Sequence, residues 1–194
     1  MTDHYFSSEV TATSNPQVIK YDYGSYSYSF ITDNGVFSVG KMDSASDILI
    51  RNIPPLSGSF LDMGCGYGPI GIVLAKEYKL VLTQADINPR ALDLTQKNAI
   101  KNNVASNVIQ SNCFEQIDGL FDTIAINPPI HAGKDVIFSM YEGSYKHLNI
   151  GGALYIVIFK KHGADSSISY ISELFGNCHT LYKKKGLYVI KADK

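Results

Sequence analysis

The 194-residue chain is 45% hydrophobic and 18% charged, with a formal net charge of −1. That composition fits a folded chain with one main core and excludes a disordered or collagen-like protein. It provides no overall basic field, so a nucleic-acid partner would need a local basic patch. No run of about 18 apolar residues marks a membrane span, and the start, Met1 to Phe6, lacks the basic-then-apolar pattern of a secretory signal. The three cysteines, Cys65, Cys113 and Cys178, are scattered, show no zinc spacing and fit a reducing cytoplasm. No metal site is expected.

Residues 1–20 read as polar and irregular. Tyr26, Tyr28 and Phe30 then alternate with serines at strand period. Asp33-Asn34-Gly35 and Val36 to Val39 follow, and Asn-Gly between two alternating runs predicts a β-hairpin turn there. Residues 1–42 are therefore expected to form a small β-hairpin appendage ahead of a main domain over 43–194. Its aromatics (Tyr5, Phe6, Tyr21, Tyr23, Tyr26, Tyr28) read as a packed cluster rather than a stacking surface for bases. Asp43 or Ser44 caps a helix over 43–53, which Pro54-Pro55 ends.

Phe60, Leu61 and Met63 read as a short buried strand carrying Asp62 at its end. Gly64, Gly66 and Gly68 follow at every second position, and Pro69 opens a helix, where its missing N–H is no loss. Glycines here allow positive φ and close approach of a ligand. A strand, a glycine turn and a helix N-terminus together make a nucleotide site. Leu80 to Asp86 is a second strand ending on a carboxylate. Asn88-Pro89 caps and starts a helix to about Asn102. Val104 to Gln110 and Phe121 to Ile126 are the next strands. Ile137, Met140, Tyr141, Ser144 and Leu148 place a helix over 134–149, stopped by Gly151-Gly152. Ala153 to Phe159 is apolar throughout, as in a strand covered on both faces. Ile168, Ile171, Leu174 and Phe175 mark a last helix, and His179 to Lys183 with Leu187 to Ala192 a closing hairpin.

Strands alternating with helices predict an α/β fold. It is expected to be a Rossmann-like, doubly wound sheet, mostly parallel, with a C-terminal antiparallel hairpin and the small N-terminal β-appendage. The ligand crevice belongs at the carboxyl ends of the strands, where Asp62, Asp86, Asn112 and Asn127 fall. Gly66 to Gly71, with Asp86 twenty positions after Gly66, satisfies the dinucleotide pattern. Two features weigh against a nicotinamide cofactor. A carboxylate ahead of the glycines opposes a pyrophosphate and favours a cation, and Asn127-Pro128-Pro129-Ile130 has no task in a dehydrogenase.

Both features resemble the class I S-adenosylmethionine-dependent methyltransferases. The resemblance implies S-adenosylmethionine as cofactor, with Asp62 and the turn Gly64, Cys65, Gly66 and Gly68 at its methionine part. It places Asp86 on the ribose hydroxyls, Ile87 against the adenine, and Asn112 and Cys113 at the adenine edge. Asn127, Pro128, Pro129 and Ile130 match the Asn-Pro-Pro-aromatic tetrapeptide of methyltransferases acting on planar amino nitrogens. Such an amine is a poor nucleophile because its lone pair is delocalised. The Asn127 side-chain oxygen and the Pro128 carbonyl would accept its N–H bonds and hold it toward the methyl group.

A closer resemblance, over nearly the whole chain, is to the RsmC-like bacterial ribosomal RNA guanine-N2 methyltransferases. It is carried by His4 to Ser7, Asp33 to Ser38, Leu61 to Gly71 and Asn127 to Lys134. It implies methylation of the exocyclic N2 of a guanine, ribosomal RNA or a ribosomal subunit as partner, and a cytoplasmic location. Phe37 to Asp43 would border the two pockets, and Ser46 would lie near the cofactor. Ile130 stands where many relatives carry Phe or Tyr, so stacking on the base would pass to Phe37 or His131, or be weaker. His131 reads equally as a base-facing group or an exposed loop residue. Larger family members carry a second, degenerate domain before the catalytic one; without it, RNA would be gripped differently. Lys160 and Lys161, directly after the fifth strand, would meet phosphates, whereas Lys183 to Lys185 reads as solvated surface. An adenine-N6 or protein-glutamine methyltransferase shares the Asn-Pro-Pro element. A non-catalytic scaffold is the remaining alternative, against which intact Asp62, Asp86 and Asn127 argue.

Overall fold

The computed structural model describes residues 12–194; His4 to Ser7 lie outside the described residues. The first elements are strands β1 (Gln17–Tyr23) and β2 (Tyr26–Thr32), paired antiparallel with Tyr23 opposite Tyr26. Their turn is Gly24-Ser25, with Gly24 at φ +56, and not the expected Asn34-Gly35. The reason lies in Asp33, whose buried carboxylate accepts from the Ser14 hydroxyl and the Asn15 and Asn34 N–H groups. The Asn34 and Gly35 carbonyls accept from the Arg90 and Asn88 side chains. With these groups engaged, residues 33–40 leave the hairpin as a loop.

The hairpin shares the main core. Ile19, Tyr21, Tyr28 and Phe30 are buried in the same core cluster as the main sheet. Its outer edge is closed by a helix, α3 (Pro89–Lys101), and the residue that caps its end. Asn98 accepts from the Ile31 N–H and donates to the Ile31 carbonyl. One turn on, Asn102 does the same to Ser29. Two carboxamides four residues apart thus replace a neighbouring strand for alternate residues of β2, answering the edge groups that would otherwise stay unpaired. Asn98 also donates to the Tyr67 carbonyl, tying the glycine turn to the same device.

The remaining elements alternate. Helix α1 (Ser44–Asn52) precedes β3 (Ser59–Met63), and helix α2 (Pro69–Tyr78) precedes β4 (Val81–Asp86). Strands β5 (Ser106–Gln110) and β6 (Phe121–Ile126) follow α3, then helix α4 (Lys134–His147) and strand β7 (Leu148–Phe159). Helix α5 (Ala164–Phe175) and strands β8 (His179–Lys184) and β9 (Leu187–Asp193) complete the chain. The seven-stranded sheet has the order β5-β4-β3-β6-β7-β9-β8, parallel as far as β7, with β9 antiparallel to both neighbours. The chain therefore turns from one half of the sheet to the other between β3 and β6. A crevice forms at the carboxyl ends of strands at such a switch.

Side chains alternate across the sheet with period two. Phe60, Ala125, Tyr155 and Val157 pack with the hairpin, α1, α2 and α3. Leu61, Met63, Ile124, Ile126 and Ile156 pack against α4 and α5. Gly151-Gly152 does not stop α4 as expected, because α4 ends at His147 and the glycines lie within β7. They sit at a register shift against β6 between Phe121 and Thr123. A Cβ on Gly152 would meet the Asn149, Phe121 and Asp122 carbonyl oxygens at 3.0–3.1 Å, so a side chain there would press on three backbone groups of the bulge.

Asn98→Ala leaves the Ile31 N–H and carbonyl and the Tyr67 carbonyl without their side-chain partner. We expect a loss of about 2–3 kcal/mol in urea unfolding, larger than for any exposed polar substitution on α3.

Candidate active site

A cavity of about 240 Å³ opens at the switch between β3 and β6. Its floor is the turn after β3, Gly64 to Tyr67. Its walls are Asp86 and Ile87 after β4, Ser111 to Cys113 after β5, and Asn127 to Pro129 after β6. Val36 and Phe37 from the 33–40 loop, and Asp43 and Ser46 at the start of α1, close it. Of the site residues expected from sequence, the structure gathers Phe37, Ser46, Gly64, Cys65, Gly66, Asp86, Ile87, Asn112, Cys113, Asn127, Pro128 and Pro129 on one cavity. Sequence reasoning missed Met63, Tyr67, Ser111, Ala132 and Val136 among its lining. Only strand-end position, not residue type, marked Met63 and Ser111.

Six expected residues do not line this cavity: Asp62, Gly68, Ile130, His131, Lys160 and Lys161. Period-two alternation turns Asp62 toward α2 rather than off the end of β3. Its Oδ2 accepts from the Gly71 N–H at 2.8 Å and from Gln84 Nε2 at 3.2 Å. A Cβ on Gly71 would meet Gln84 Nε2 at 2.6 Å and Asp62 Oδ2 at 3.0 Å. The last glycine of the run therefore lets α2 close onto β3 and β4. Gly68 is likewise a packing position, its space bounded by Ile72, Gln84 and Thr95. Gly66 is different: it has φ +57, and no atom lies within 4 Å of an added Cβ. Ile130 and His131 are the two corner residues of a turn closed by the Ala132 N–H on the Pro129 carbonyl. The turn carries both away while Pro129 and Ala132 stay on the wall. Lys160 and Lys161 are exposed in a single turn of 3-10 helix after β7.

Asp86 is held by the turn it faces. Its Oδ2 accepts from the Gly66 N–H and its Oδ1 from the Asn88 N–H, at 2.8 and 2.9 Å. Burial raises its pKa, while the Asn88, Gly66 and Ile87 N–H groups favour the ionised form. A carboxylate has about four acceptor positions; with three N–H groups on it, Asp86 keeps room to accept from a hydroxyl on its cavity side.

The Asn127 side chain has one possible orientation. Its Nδ2 donates to Asp43 Oδ2 and to Ser46 Oγ, each at 3.0 Å. A carboxylate only accepts, so the amide nitrogen faces Asp43 and the amide oxygen faces the other way. The same Asp43 oxygen accepts the Ser46 N–H and hydroxyl as N-cap of α1. One carboxylate thus starts the helix and aims the Asn127 oxygen. Neither thiol here is a nucleophile. Burial pushes Cys65 well above the ordinary thiol range, and burial raises Cys113, so both are neutral at pH 7.

Residues 27–191 match the family model of the methyltransferase small domain, and the chain belongs to that family. It is 40% identical to an uncharacterized Bacillus subtilis protein, YbxB, over the full length of both. It is 34% identical to the ribosomal RNA small subunit methyltransferase C of Cronobacter sakazakii, over 80% of this chain and 46% of that protein. Its fold matches that of the T. thermophilus 16S rRNA N2 methyltransferase RsmC, solved in complex with AdoMet and guanosine. The TM-score is 0.80 at 25% identity, covering 92% of this chain and 50% of the other. The chain therefore spans about half the length of these ribosomal RNA methyltransferases.

Burial is the largest influence on Asp62 and raises its pKa to about 7, against the Gly71 and Gln84 hydrogen bonds; its Oδ1 is buried without a partner. The folded protein keeps a proton that the unfolded chain loses near pH 4, so raising the pH from 4 to 7 weakens the fold. The slope is at most about 1.4 kcal/mol per pH unit. Asp62→Asn retains an acceptor for Gly71 and Gln84 and cannot ionise. Between pH 5 and 8 we expect wild type to lose about 2–3 kcal/mol relative to this variant in urea unfolding. Parallel pH profiles would show that Asp62 titrates normally.

Proposed function

We propose that this chain is an S-adenosylmethionine-dependent methyltransferase acting on the exocyclic N2 of a guanine in ribosomal RNA. The observation that carries this reading is the fixed Asn127 amide, which presents an acceptor to the cavity beside the Pro128 backbone. S-adenosylmethionine supplies an electrophilic methyl group on a sulfonium centre. The residues present fit it. Asp86 lines the cavity as an acceptor for its ribose hydroxyls, Ile87 and Cys113 offer apolar surface to its adenine, and the open backbone at Gly66 admits its chain. Asp62 contributes by building the turn rather than by touching the cofactor.

The chemistry asked of the protein is to improve a weak nucleophile. Asn127 Oδ1 accepts one amine proton and the Pro128 carbonyl the other, which fixes the nitrogen and aims its lone pair. Both oxygens also stabilise the positive charge that grows on nitrogen during transfer, without reorganising. As the N–CH₃ bond forms the sulfur–methyl bond breaks and the neutral thioether leaves; the methylated nitrogen is then strongly acidic and gives its extra proton to water, so Asp43, occupied by Asn127, Ser46 and the α1 N-terminus, is not needed as a base. Two aromatics line the cavity with Asn127; Tyr67 is packed into the core cluster, and Phe37, on the 33–40 loop, is assigned to stack on the base. The names of the relatives support ribosomal RNA or a ribosomal subunit as substrate and hence action in the cytoplasm. Adenine-N6 and protein-glutamine nitrogens are also planar amines, so the acceptor pair alone does not select guanine.

With ribosomal RNA as substrate, Asn127→Ala is expected to lower kcat at least a hundredfold while its affinity for S-adenosylmethionine stays within about threefold. Equal transfer would remove Asn127 from the mechanism. Asp43→Ala frees the Asn127 amide to rotate, and kcat should fall about tenfold or more with KM little changed. Asp43→Asn, which keeps an acceptor, should recover most of it. A merely structural role for Asp43 would lower stability without this split.

A further inference from the structure

Two lysine runs far apart in sequence meet at one edge of the sheet. The Lys160 N–H donates to the Gly186 carbonyl at 2.7 Å, and Phe159 pairs with Leu187. This joins the turn after β7 to the β8–β9 turn. Lys160, Lys161, Lys183, Lys184 and Lys185 are all exposed there. They are five of the 17 cationic side chains of a chain whose net charge is −1. Their only ion pair among the described residues is Lys160 with Asp165, at 4.0 Å between side chains 63% and 71% exposed. Lys161 and Lys183 lean over the Phe159 and Tyr188 rings, which leaves their charge unneutralised. The edge is the one that carries the cavity, because β7 runs parallel to β6 and ends there.

We propose that these five lysines form a phosphate-binding edge for the RNA strand flanking the target nucleotide. The proposal rests on the reading of the cavity as an RNA methyltransferase site and adds the surface that holds the strand. Neighbouring strands lie about 4.8 Å apart. The β8–β9 turn is therefore on the order of 10–15 Å from Asn127, a reach of a few nucleotides of single-stranded RNA. Lysine point charges suit the backbone and carry no sequence information, so the edge orients the strand while the cavity selects the base. This assignment also revises the expectation that Lys183 to Lys185 are merely solvated.

The test is fluorescence anisotropy with a labelled single-stranded RNA of about 20 nucleotides, titrated from low to moderate salt. The variants are Lys160→Gln with Lys161→Gln, Lys183→Gln with Lys184→Gln and Lys185→Gln, and all five together. The control is Lys101→Gln with Lys146→Gln, exposed at helix C-terminal ends on the opposite edge. Each lost phosphate contact should reduce the slope of log K against log salt by about 0.7. The five-fold variant should bind at least tenfold more weakly at moderate salt, with an unchanged unfolding midpoint. Wild-type slope and affinity in that variant, or an equal loss in the control, would overturn the proposal. Wild-type transfer to ribosomal RNA is measured alongside. Its absence, with the lysine-dependent slope intact, would overturn the guanine reading and leave the RNA edge standing.

Discussion

The Asp43 carboxylate holds two parts of the molecule in one relation. Oδ2 accepts the Ser46 N–H that begins α1 and the Asn127 amide that follows β6. Without it, the amide of Asn127 has no preference between presenting an oxygen or an NH₂ group to the cavity, and only the oxygen receives an amine. The interaction is charge-assisted and half sheltered, so it is stronger than a neutral amide contact. It also makes α1, which lies outside the glycine turn and the strand ends, part of the site.

The second constraint is the approach of α2 to the sheet. Gly71 has no room for a Cβ because Gln84 and Asp62 occupy it. Gln84 joins Asp62, the Gly68 carbonyl and Ser106. This polar network beneath the turn sets the height of Gly64 to Gly66, and Asp86 then fixes Gly66 from the other side. Farther out, Asn98 connects the Tyr67 carbonyl to the edge of β2. The hairpin is thereby anchored to the turn, and the 33–40 loop that follows it delivers Phe37 to the cavity.

Much of this was legible in the residues. The glycine spacing, Pro69, Asn88-Pro89 and Asn127-Pro128-Pro129 act through local backbone geometry, and the turn and the Asn-Pro-Pro segment fall on the cavity at the strand ends. What misled was mostly non-local. Asn34-Gly35 has strong turn chemistry, but Asp33, Asn88 and Arg90 capture its polar groups, and Gly24-Ser25 makes the hairpin. Asp62 looked like a strand-end ligand group, although alternation with Phe60 already pointed it toward α2. Ile130 and His131 continue the linear motif in sequence, but the Pro129–Ala132 turn takes them off the wall. Asn98 and Asn102 show no pattern that distinguishes helix residues facing solvent from ones closing a sheet edge. The meeting of Lys160 and Lys161 with Lys183 to Lys185 depends on β9 inserting beside β7, which no local signal announces.

The central claim is that the cavity methylates a planar amine of guanine held by Asn127. The most direct measurement is transfer of radiolabel from S-adenosylmethionine to ribosomal RNA and to ribosomal subunits from cells lacking this protein, followed by nucleoside analysis. The account predicts label in N2-methylguanosine. Label in N6-methyladenosine, or label in protein and none in RNA, would contradict it.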